Sequence, residues 1–154
     1  KDRVGSTAAI STVAIVALGA GMGVGRWYGG LVLKNFKLDN QLLGLVALQF
    51  IGFSAFWLSH SMIISLICLF VIGLGISMQF ALAAIRLVSF SDNRPDLAVG
   101  KLSLAAGIAI AGAPFLLGFL GDNFGISRAY IMVPVLIALA FIIIKLTPSH
   151  SEKA

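Results

Sequence analysis

The chain has 154 residues, of which 59% are hydrophobic and only 11% charged, with a mean hydropathy of +1.03. Eleven basic and six acidic side chains are too few to coat a water-soluble fold of this length, so lipid must supply the missing solvent shell. The net charge of +5 does not point to nucleic acid, because the basic residues are scattered between apolar runs without interleaved aromatics.

A membrane helix needs ~20 mainly apolar residues. Five uncharged windows of about that size occur, at 6–25, 41–59, 62–85, 102–121 and 129–144, and predict an all-α polytopic membrane bundle of about five transmembrane helices. Lipid-facing strands are excluded, since they are ~10 residues long and alternate in polarity. Residues 147–154 form a polar tail. The chain opens at Lys1 without an initiator methionine or a basic-then-apolar leader, so its start is expected to be an arbitrary cut.

The first span carries Gly19 and Gly23 on one stripe and Gly21, Gly25 and Gly29 on another, which predicts an inner helix approached closely on two faces. Its hydroxyls, among them Thr12, can bond their own backbone or face a cavity. Arg26 follows at the end of the span, as an interface anchor or a gate. The second span holds Phe50, Phe53, Phe56 and Trp57 and is expected at the periphery, with Gln49 turned to the bundle. His60 lies in the short turn that follows and should be solvated.

In the third span Gln79 and Arg86, seven residues apart, share a helical face with Gly75 and Ala83. That stripe lines a transport cavity, or else Gln79 bonds a neighbouring helix and Arg86 snorkels to the interface. The fourth span presents Ser103, Gly107, Ala111, Pro114, Gly118 and Gly121 as one small-residue face and is expected to be an inner helix. The fifth, rich in Ile, Leu, Val and Phe, is expected at the periphery. No Asp or Glu falls inside a window, so no membrane-embedded carboxylate is expected. The lone cysteine, Cys68, forms no internal disulfide and no thiolate metal cluster. With no Ser-His-Asp set, HExxH or phosphate-cradling loop, neither an enzyme nor a cofactor or metal is expected.

If the spans cross alternately, one side receives Arg26, Lys34, Lys37, Arg86, Arg94, Lys101, Lys145 and Lys153, and the other only Lys1, Arg3 and Arg128. The positive-inside rule then places the C-terminus in the cytoplasm. Small-residue content repeats after three helices, pairing the first span with the fourth and the second with the fifth. Gly30-Leu-Val-Leu-Lys-Asn35-Phe36 and Gly118-Phe-Leu-Gly-Asp-Asn123-Phe124 share three residues at identical spacing at equivalent helix ends, the pattern of an inverted-topology repeat.

Gly118-x-Leu120-x-Asp122-x-x-Gly125 resembles the loop signature of the major facilitator superfamily, Gly-x-Leu-x-Asp-Arg-x-Gly-Arg-Arg, with Asn123 in the place of its Arg. In the earlier copy, after Gly30, Lys34 and Lys37 stand at the Asp and second Gly positions. Gly73-x-Gly75, Pro114 and the basic segment 86–101 extend the likeness over nearly the whole chain. The resemblance aligns the five spans with the family's eighth to twelfth helices, the eighth and eleventh central and the ninth and twelfth peripheral. It implies a partial C-terminal bundle of an alternating-access secondary carrier. The partners it implies are a bilayer, a small-molecule substrate and the missing N-terminal bundle, and the expected location is the bacterial inner (plasma) membrane. Gln79, Arg86, Ser103 and Thr12 are then the cavity candidates, and Gly118, Asp122, Gly125, Gly30 and Arg26 the motif and gating candidates. The rival expectation is a small polytopic membrane protein that transports nothing and serves as a subunit or scaffold.

Overall fold

The computed structural model describes residues 8–91 and 94–148, with side chains from Thr12 onward. The described residues form helices and no strand: α1 (Ala8–Leu33), α2 (Leu38–Leu58), α3 (Met62–Ile76), α4 (Gln79–Ser89), α5 (Pro95–Phe124), α6 (Ile126–Ala129) and α7 (Met132–Leu146). Four continuous or nearly continuous runs, Leu38–Leu58, Met62–Ser89, Pro95–Phe124 and Ile126–Leu146, are long and apolar enough to cross a membrane. With the 26-residue α1, this is the helical architecture of an integral membrane protein.

Local chemistry sets the interruptions. The third span is interrupted at Ser77 and Met78, whose backbone stays in the right-handed helical region. Ser77 folds its hydroxyl back onto the Leu74 carbonyl at 2.7 Å and its amide onto the same oxygen at 3.3 Å, which tightens the last turn of α3 before α4 restarts at Gln79. The fifth span also divides, at Tyr130 and Ile131. Pro134 has no amide to give the Tyr130 carbonyl, and that oxygen accepts from Val133 at 3.1 Å instead. Pro95 opens α5 at its first turn, where a missing amide costs nothing, and Gly125, at φ +84, closes it.

The packing reverses the expected order of inner and outer helices. α2, expected at the periphery, packs against α3, α4 and α7 and supplies Leu42, Leu45 and Val46 to the core. α1 lies chiefly on α3, and α7 on α2. α5, expected inside, touches chiefly α4 and α6, and its Gly107, Gly112 and Gly118 meet no atom within 4 Å of a built Cβ. Small residues report how closely two backbones approach, not how many neighbours a helix has. Gly21 and Gly73 face each other so closely that a Cβ on either would strike the backbone of the opposite helix. Gly75 does the same toward α2, where a Cβ would lie 2.9 Å from the Gln49 amide nitrogen.

One end of the bundle gathers the basic segments. Leu33, Leu38, Met78 and Ile144 pack around buried Leu42, Leu45 and Leu82, so the end of α1, the start of α2, α4 and the end of α7 meet there. Exposed Lys34, Lys37 and Lys145 cluster about that end.

The two repeat segments differ in form. Asn35 and Phe36 lie in the turn after α1, where the Phe36 amide bonds the Leu33 carbonyl at 2.9 Å, whereas Asn123 and Phe124 are helical.

Candidate functional site

Three polar arrangements link the spans. The first surrounds the α3/α4 break. Gly25 brings α1 so close that a Cβ there would collide with the Ser77 side chain, and the next residue, Arg26, donates from Nε to the Ser77 carbonyl at 3.3 Å. α1 continues beyond Arg26 to Leu33, and the exposed guanidinium is tied to the neighbouring helix at its interruption. Ser77 itself is buried.

On the other side of the break, Gln79 Nε2 donates to Gln49 Oε1 at 2.8 Å. Both amides are half-buried, and each lies well inside its span. A buried amide needs a partner, and here each supplies the other's. Gln79, a sequence candidate, is thus joined by Gln49, which the sequence placed correctly on the bundle-facing side of its helix.

The third arrangement was not foreseen. Asp39 is helical, in the first turn of α2, and buried to 4% exposure. Its carboxylate accepts from Arg86 Nε at 2.8 Å, in an ion pair whose side chains are 6% and 14% exposed. Charge-free windows trim away any helix turn that carries a charge: α2 begins three residues before its window, and Asp39 stands in that added first turn. Arg86 does more than pair. Its outer nitrogen reaches the Ile144 carbonyl at 3.3 Å, the Thr147 carbonyl and the Thr147 hydroxyl at 3.4 Å, and the guanidinium lies 5.3 Å from the Phe90 ring centre. It satisfies carbonyls at the C-terminus of α7 while Asp39 complements the N-terminus of α2. Simple snorkelling of Arg86 is therefore replaced by a three-helix junction.

The remaining candidates stand apart from these groups. Ser103 and Thr12 are on exposed faces of α5 and α1. Gly118 and Gly30 are exposed with no atom near a built Cβ, and Gly125 is the positive-φ cap of α5. Asp122, a motif and gating candidate, lies within α5, exposed, and makes no hydrogen bond or ion pair to a described residue. Its neighbour Asn123 bonds the Phe119 carbonyl instead, at 2.8 Å. His60 is exposed and Cys68 is buried with a free thiol. The described residues contain no group of three His, Cys, Asp or Glu side chains placed to hold a metal.

Two grooves of about 250 and 310 Å³ run between α2 and α7. One is lined by Phe53, Trp57 and Pro134, the other by Phe50, Ile137 and Phe141, and neither contains a candidate residue. They are apolar seams on the outer surface, away from the polar groups at the α3/α4 break.

Compared with protein-family models, with curated proteins and with solved structures, the chain matches none.

Proposed function

We propose that this chain is part of a secondary carrier of major-facilitator type, which moves a small solute across a membrane by alternating access. The observation that carries the reading is the interrupted third span, with Arg26 of α1 on one side of its break and the Gln49 and Gln79 amides on the other. A continuous apolar helix satisfies its own backbone and offers a solute nothing. A broken one releases carbonyls and amides, and carriers place their binding groups at such breaks. The open face of α5, with Ser103, Gly107 and Ala111 spaced four residues apart, suits a second bundle docking against it. In this reading the basic end of the bundle is cytoplasmic, the membrane is the bacterial inner membrane, and the partner is the N-terminal bundle of the same carrier.

The test is uptake by the full-length protein in proteoliposomes, with labelled sugars, amino acids and carboxylates offered in turn. Saturable uptake of one class, weakened by Gln79→Leu while insertion is kept, is the expected result. Intact insertion without uptake of any class would leave helix packing as the chain's role, as in a subunit or scaffold.

A further inference from the structure

α2 and α7 pack side by side yet leave between them the groove of about 310 Å³, open to the outside. Small, half-buried Ala47 and Ala138 make the space, and the larger Phe50, Ile51, Phe141 and Ile142 border it. Every side chain that lines it is hydrocarbon, and its surroundings at that depth are lipid. A partner helix cannot enter, because a single turn, about 10 Å across and about 5.4 Å high, fills about 420 Å³. A flexible acyl chain is the apolar occupant that can.

The groove leads to the basic end of the bundle. On α7, Lys145 stands four residues beyond Phe141 and three beyond Ile142, hence on the groove's own face. On α2, Ile51, Ala47, Gly44 and Asn40 follow one another at helical spacing and form a single stripe. Gly44 is exposed and meets no atom within 4 Å of a built Cβ, so no described side chain covers the stripe there. Asn40 and Lys145 are exposed, as are Lys34 and Lys37 at the same end. The carboxylate of that end, Asp39, is buried and engaged by Arg86, whereas Asp96 and Asp122 belong to α5, which packs chiefly on α4 and α6. Where the groove ends, the surface is therefore positive, with no described acid to balance it.

The depths agree as well. One leaflet's hydrocarbon is about 15 Å deep, and Asn40 to Ile51 spans about 16 Å along α2 at about 1.5 Å per residue. A phosphate level with Asn40 and Lys145 therefore sets its own lipid's chain alongside Ala47 and Ile51.

We propose that the α2/α7 seam binds one anionic phospholipid of the leaflet at the basic end, with an acyl chain in the groove and the headgroup phosphate on Lys145 and Asn40. Lys145 supplies the charge, and the Asn40 amide adds an N–H donor for a phosphate oxygen. The site is independent of whether the chain carries a solute.

The whole 154-residue chain, stripped of lipid in detergent, is titrated with phosphatidylglycerol or with phosphatidylcholine of the same acyl chains, and bound lipid is counted by native mass spectrometry. One saturable phosphatidylglycerol site is expected, with phosphatidylcholine weaker by about fivefold or more, the worth of one lysine at an anionic surface. Lys145→Gln should weaken phosphatidylglycerol about fivefold and leave phosphatidylcholine unchanged, whereas Lys101→Gln, which removes the same charge from α5, should change neither. Ile142→Trp, which fills the groove from an exposed position, should weaken both lipids. Equal binding of the two lipids, equal losses in Lys145→Gln and Lys101→Gln, or unchanged affinity in Ile142→Trp each overturns the proposal. A dimer that Ile142→Trp abolishes, with no saturable lipid, also overturns it and gives the seam to a second copy. Should Ile142→Trp not fold, Ile51→Trp on the facing helix decides in its place.

Discussion

Arg86 and Asp39 stand 47 positions apart in the chain and meet at 2.8 Å, joining α4 to the first turn of α2, while the same guanidinium reaches the closing carbonyls of α7. Both charged side chains are largely withdrawn from solvent. Removing one partner strands the other, which costs about 3–5 kcal/mol, whereas replacing both by apolar groups of similar volume is close to neutral. Asp39→Ala should therefore lower unfolding stability in detergent by about 3 kcal/mol. Asp39→Leu with Arg86→Met together should recover most of it. Additive losses in the double variant would show that the two charges do not act as a pair.

The Gln49 and Gln79 amides pose the same question at lower stakes. Hydrogen bonds between membrane helices average ~0.6 kcal/mol, so Gln79→Leu should leave folding nearly intact. With Gln49→Leu added, thermal unfolding should return toward the parent value, because neither amide is then left without its partner. A fall in unfolding temperature of more than about 8 °C for Gln79→Leu alone would give the pair a larger structural role than this geometry allows.

Glycine substitutions separate used from unused helix faces. Gly73→Leu should abolish folded yield, since even a Cβ there meets the Leu18 carbonyl of α1. Gly107→Leu in this chain should be tolerated as well as Ile108→Leu, because nothing lies within 4 Å of a Cβ at Gly107. The same change in a full-length carrier should reduce folded yield if a second bundle covers α5. Size-exclusion yield in detergent reads both, and a collapse for Gly107→Leu in the 154-residue chain would mean that α5 already has a partner there.

Orientation can be read with single cysteines in a chain with Cys68 replaced. If the basic end is cytoplasmic, as proposed, a cysteine at His60 should label from outside intact cells, and one at Lys34 only after permeabilisation. Labelling of both from outside would reverse or abolish that assignment.

The spans were legible because about twenty uncharged residues are hard to place anywhere but in lipid, and α2, α5 and the fifth span fall where the windows put them, to within a few residues at most ends. The break at Ser77 was hidden inside an unbroken apolar run, since a hydroxyl that bonds its own Leu74 carbonyl leaves no trace in hydropathy. Asp39 was missed because its charge placed it in a loop, although an acidic residue in a first helical turn is favoured by the helix dipole. Gln79 and Arg86 were placed on one face correctly, but the sequence could not say that Gln49 and Asp39 were waiting opposite them. The rank of α5 differs from the expected one because a small-residue face tells how closely a neighbour could approach, and no described residue lies against Gly107, Gly112 or Gly118.

The Arg86 junction also imposes an order on biogenesis. The residues that complete it, Ile144 and Thr147, leave the ribosome about sixty positions after Arg86, so a nascent chain holding only α2 and α4 has both members of the ion pair but not the last acceptors. Until α7 arrives, the outer nitrogen of Arg86 lacks the Ile144 and Thr147 acceptors. Insertion of the final helix is then the step that brings those acceptors to Arg86, and a chain cut before Met132 should hold Asp39 and Arg86 without them.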